Sequence, residues 1–185
     1  LATDPEFQGA PYLDGIWAYA LGGAYIGKGD LGKAEQQLET LQQLVNAPNA
    51  DEYRVGATPV RDVLRTAALA LEGEVLEAKG DLDAAIASYQ AAVDIEDKNN
   101  YTEPPDWSQS MRLYQGAALI QAGKAEEAED VYLKDLQWNQ QNGWSTFGLY
   151  QALEAQGKDQ EALVIKRQFD SFWRNADVEL TRSRI

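Results

Sequence analysis

The stretch Leu71-Glu72-Gly73-Glu74-Val75-Leu76-Glu77-Ala78-Lys79-Gly80-Asp81-Leu82-Asp83-Ala84-Ala85 decides the fold. A small residue, Gly73, is followed three positions on by a large one, Leu76. Gly80 comes four later and Ala85 five after that. A glycine closing an apolar run takes up the left-handed conformation that ends a helix. Asp81 then stands where a side-chain oxygen caps the next helix. Small residues at Gly73 and Ala85 let two helices approach closely. The stretch therefore reads as the turn of a helical hairpin.

The same spacing occurs three more times: Gly22, Tyr25, Gly29, Ala34; Gly116, Leu119, Gly123, Ala128; and Tyr150, Leu153, Gly157, Ala162. The turn glycines at 29, 80, 123 and 157 are separated by 51, 43 and 34 residues. Internal repetition at such periods is the signature of stacked supersecondary units. Eight helices follow, at about 12–27, 31–46, 59–79, 82–97, 107–122, 125–140, 144–156 and 159–174. Thr58-Pro59 predicts a cap with proline at the first helical position, and Asp106-Trp107-Ser108-Gln109 has capping-box spacing. The last helix carries Leu163, Phe169, Phe172 and Trp173, expected to cover the end of the array. Beyond Asn175 no period persists, and the chain is expected to be irregular.

The four copies resemble the tetratricopeptide repeat (TPR) family, whose period is 34 residues. In that register the small residue is position 8, the large one 11 and the alanine 20. Position 24 falls on Leu38, Tyr89, Tyr132 and Lys166, and position 27 on Leu41, Ala92, Asp135 and Phe169. Lys166 and Asp135 depart from the family pattern. The resemblance implies an all-α, right-handed α-solenoid of about four hairpins, with residues 1–185 as one solenoid domain. A narrower resemblance, in Tyr101–Trp107, Asn142–Leu149 and Ala176–Arg184, is to the C-terminal region of long bacterial TPR proteins. It implies a C-terminal fragment with further repeats of its own chain upstream. It favours an exported or periplasmic setting over a cytoplasmic one. The non-Met start at Leu1 agrees with a fragment.

Composition excludes several chemistries. With 44% apolar residues the chain can bury a core. Histidine and cysteine are absent, so nucleophilic sites that need imidazole and zinc sites of Cys and His are ruled out. No phosphate-cradling glycine motif is present. Neither an enzyme nor a cofactor is expected, and no metal site, since Asp94–Asn99 lacks the alternation of a calcium loop. The net charge is −14, without the basic stripe that nucleic-acid binding needs. No apolar run approaches the length of a membrane span.

The expected function is a protein–protein interaction scaffold. The resemblance places positions 2, 5, 9, 12 and 13 of each repeat, on the first helix (helix A) of each hairpin, along a concave groove. Its candidate binding residues are Tyr19, Glu74, Glu77, Leu113, Trp144, Phe147, Gln151 and Glu154. Aromatics are the usual anchors of interfaces, and the glutamates favour a basic partner segment. The Lys/Asn clamp by which some TPR domains hold a carboxylate is missing, because positions 5 and 9 are Tyr19 and Gly23, Ala70 and Glu74, Leu113 and Ala117, Phe147 and Gln151. Two insertions stand out. Ala47–Ala57 reads as a surface loop. Lys98–Asp106, with Pro104-Pro105, is either a stiff clip or, with Tyr101 and Trp107, an aromatic pocket. The alternative function is structural: this region completes a larger array whose site lies upstream.

Overall fold

A computed structural model describes residues 10–99 and 102–184. Eight α-helices follow in order: α1 (Pro11–Gly27), α2 (Leu31–Val45), α3 (Val60–Ala78), α4 (Leu82–Glu96), α5 (Met111–Gln121), α6 (Ala125–Trp138), α7 (Gly143–Ala155) and α8 (Asp159–Trp173). The class is all-α, built of helical hairpins. The described residues gather into two compact units, 10–81 with 94–99 and 102–108, and 82–93 with 109–184.

The four turns share one chemistry. Gly29, Gly80, Gly123 and Gly157 all have φ between +72° and +83°, the left-handed region in which glycine carries no steric cost. The residue after each glycine donates its N–H back to the carbonyl of the large residue at position 11. Asp30 reaches Tyr25 at 2.9 Å, Asp81 reaches Leu76 at 2.9 Å, Lys124 reaches Leu119 at 2.9 Å, and Lys158 reaches Leu153 at 3.0 Å. The spacing from large residue to glycine is thus the spacing of a hydrogen bond. Asp30 caps α2 by accepting from the Lys33 N–H at 3.3 Å.

In the first unit, α1 packs on α2 and α3. Its core joins Ala18, Ala34, Leu41, Leu64, Ala67 and Leu71. Gly15 and Gly22 make the close approach possible, since a Cβ on either would overlap Leu64 or Leu71 of α3. The segment 47–59 is more ordered than a plain surface loop. Arg54–Val55 (β1) pairs antiparallel with Thr58–Pro59 (β2) across Gly56-Ala57. Pro59 is therefore the residue before α3, not its first turn. Thr58 does not cap the helix; its hydroxyl donates to Asp106. Asp106 is held there, so the expected capping box at 106–109 does not form. Ser110 caps α5 instead, accepting from the Arg112 N–H at 3.3 Å, and the helix starts at Met111.

In the second unit, α5, α6, α7 and α8 pack as successive neighbours, and α5 also touches α7. Its core includes Leu119, Ala128, Tyr132, Leu149, Ala152, Leu153 and Ala162. The Tyr132 ring lies where Gly116 of α5 and Gly148 of α7 leave no side chain; a Cβ on either would overlap it. On α8, Phe169 is buried, but Leu163 and Phe172 are exposed, so the helix covers less than its pattern predicted. Residues 174–184 are irregular, as expected, yet Ser183 and Arg184 are buried.

Candidate functional site

In the first unit, α1 carries Tyr19 and α3 carries Glu74 and Glu77, all half-buried. Tyr19 on α1 donates its hydroxyl to the Glu74 carboxylate on α3 at 3.3 Å. Trp107 meets the Tyr19 ring edge-on, with centroids 5.1 Å apart. Trp107 also packs against the core of this unit. The segment leading to it is fastened by the Thr58–Asp106 hydrogen bond. Of the proposed loop pocket, Trp107 is the member placed here, and Tyr101 lies outside the described residues. Lys79, next to these carboxylates in sequence, pairs with Glu35 of α2.

In the second unit the expected groove residues fare differently. Phe147 is 8% exposed and Leu113 2%. Phe147 packs on Phe169 at 5.0 Å and Tyr150 at 5.9 Å. Trp144 meets Trp173 edge-on at 5.4 Å. These anchors are engaged by α7 and α8 themselves. Glu154 accepts from the Tyr150 hydroxyl at 2.7 Å, which pushes the Tyr150 phenol above its ordinary pKa.

The same face holds a length of the chain's own backbone. Gln151 donates through Nε2 to the Thr181 carbonyl at 3.0 Å. Ser183 donates through Oγ to the Leu113 carbonyl at 2.9 Å, and its oxygen lies 2.6 Å from the Tyr132 hydroxyl. A serine has one hydroxyl proton. With that proton on Leu113, Tyr132 is the donor to Ser183. Burial pushes the Tyr132 phenol far up, so that proton stays in place. Arg184 lies over the Tyr114 ring at 4.8 Å and the Tyr89 ring at 5.9 Å. No periodic signal marks this segment; its visible hint is the basic, hydroxyl-bearing run Thr181-Arg182-Ser183-Arg184 after an otherwise acidic chain.

No group of three or more metal-ligating side chains occurs among the described residues. None of the described helices is long and apolar enough to cross a membrane.

Repeated hairpins, each closed by the same glycine turn, define a helical-repeat protein. Residues 66–99 match the family model described as a tetratricopeptide repeat. That segment is the 34-residue register set by Gly73 at position 8, so the match covers one of the four hairpins. No curated protein matches the chain in sequence.

Proposed function

We propose that the chain is an interaction scaffold whose A-helix face on α1 and α3 takes a basic segment of a partner protein. The observation that carries this reading is the half-buried set Tyr19, Glu74 and Glu77 on one face. Its carboxylates stand on a helix of a chain whose net charge is −14. Such a field attracts cationic segments and steers their encounter. The aromatic edge of Tyr19 and Trp107 supplies apolar area beside the charge.

The test is a titration of labelled lysine- and arginine-rich peptides by fluorescence anisotropy. The wild-type chain is compared with Glu74→Gln/Glu77→Gln at low and moderate salt. Loss of about tenfold in affinity in the double variant, with a shallower salt dependence, supports the reading. Equal affinity in both chains refutes it.

A second reading has its own support. Leu133, Leu149, Leu153, Val164 and Ile165 line an open groove of about 420 Å³ on α6, α7 and α8. On α1, Leu13 is exposed beside half-buried Tyr12, Ile16 and Trp17. Apolar faces of this kind suit a region that completes a larger array, where a neighbouring helix covers each face.

A further inference from the structure

We propose that α4, α5 and α6 build an arginine-anchoring peptide site, and that the strap 174–184 is its resident, displaceable ligand. The proposal goes beyond the scaffold reading: it uses different residues and adds the chemistry of a second segment that the chain receives.

The strap has the burial profile of a tethered peptide rather than of a core element. Every residue from Arg174 to Arg182 is exposed, apart from half-buried Leu180. Then Ser183 is 0% exposed and Arg184 7%. A short leash thus ends in a two-residue anchor. The receiving surface is built for that anchor from three helices. Tyr132 comes from α6, and glycines at 116 and 148 leave room for its ring. The phenol hydrogen-bonds Ser183, whose own proton goes to the Leu113 carbonyl. Tyr89 and Tyr114, with centroids 5.7 Å apart, present their rings to the guanidinium. Guanidinium stacks on aromatic faces better than ammonium does, because it is planar and weakly hydrated. The subsite therefore selects a segment carrying Ser-Arg.

Between the anchor and α8 the fastening is slight: Gln151 to Thr181 at the surface, and Trp173 Nε1 to the Val178 carbonyl at 2.7 Å. A tether this short gives its anchor an effective concentration in the ~mM range. A partner segment of the same chemistry displaces it by being tighter or multivalent.

The test uses the full chain and a fluorescent peptide copying Asp177–Arg184, which has no net charge and so is not captured by the acidic field. In the Arg184→Ala chain the resident anchor is weakened. The peptide is expected to bind it at least about tenfold more tightly than the wild-type chain, and a peptide with alanine at 184 is expected to fail. Equal binding to both chains, with urea midpoints showing both folded, overturns the proposal. Should Arg184→Ala not fold, hydrogen exchange on the wild-type chain decides. Faster exchange at 178–184 under excess peptide supports displacement. Exchange there only at the rate of global unfolding makes the strap a permanent staple and overturns it. Failure of this test leaves the basic-peptide titration on α1 and α3 standing, and the reverse also holds.

Discussion

At the scale of single residues, Asp135 shows how a departure from a repeat pattern becomes structural. Position 27 ordinarily takes alanine because it faces a neighbouring helix. Here the carboxylate is 0% exposed. It accepts from Asn139 Nδ2 at 3.0 Å, from Asn142 Nδ2 at 3.4 Å, and from the Ser145 hydroxyl. Asn142 also caps α7, accepting from the Trp144 N–H at 3.0 Å. One buried carboxylate thus fixes the joint between α6 and α7. Removing it strands the buried Ser145 hydroxyl and undoes the links to exposed Asn139 and half-buried Asn142, and a stranded buried polar group is costly. Asp135→Ala is expected to lower unfolding free energy by about 3 kcal/mol in urea titration, and Asp135→Asn by clearly less. Gly148→Ala is a steric counterpart. Its added methyl overlaps a ring enclosed by α5 and α7, and overpacking of such a site costs about 2–3 kcal/mol. Thermal unfolding of Gly148→Ala beside exposed Gly32→Ala, whose Cβ meets nothing within 4 Å, separates crowding from glycine's backbone entropy.

At the scale of elements, what the sequence disclosed depends on the range of the forces involved. The four helix turns were legible because glycine, large residue and hydrogen bond all lie within six residues of one another. The eight helices fall where periodicity put them, within a few residues. The start of α5 was misread because Asp106 answers to Thr58, 48 residues away, and no local pattern reports such a partner. Ser183 and Arg184 were illegible for the same reason: their contacts are with Leu113, Tyr132, Tyr89 and Tyr114. Of the candidate site, the positions were legible from the register but the burial of Phe147 was not, since it depends on Phe169 of a later helix. One element-level joint carries a pH signature. Glu129 of α6 accepts from Lys158 Nζ and Gln156 Nε2, both at 2.7 Å, which ties the α7–α8 turn down. The Lys158 ammonium is the main reason that the Glu129 carboxyl sits below its ordinary pKa. A group whose folded pKa is lowered stabilises the fold above its unfolded pKa. That contribution fades as pH falls through the lowered value. The melting-temperature gap between wild type and Glu129→Gln is therefore expected to be full near about pH 6 and to close toward about pH 3. A gap that is constant across this range would show that the carboxylate's charge plays no part.

At the scale of the whole molecule, charge is the dominant fact. Thirty acidic residues against sixteen basic ones give −14, and the half-chain 1–100 alone holds 17 acidic and 7 basic residues. Several ion pairs lie at the surface: Lys33–Asp30, Lys124–Asp83 and Lys166–Asp170 all join side chains at least a third exposed. Such pairs add little, and salt weakens them. Two effects of salt therefore compete, screening of a few favourable pairs and screening of a broad excess of negative charge. The excess wins, because fourteen uncompensated charges repel in the compact state at distances that a long Debye length leaves unscreened. The Debye length shrinks from about 30 Å at about 0.01 M salt to about 8 Å at about 0.15 M. The melting temperature is expected to rise by a few degrees over that interval, then to flatten. Binding of basic peptides on α1 and α3 is expected to weaken over the same interval. Differential scanning fluorimetry and anisotropy in matched buffers read the two together. Opposite slopes fit an acidic surface that sacrifices stability to hold a cationic partner. A melting temperature that falls with salt would instead mean that the surface ion pairs outweigh the self-repulsion, and that the acidity is arranged for the fold.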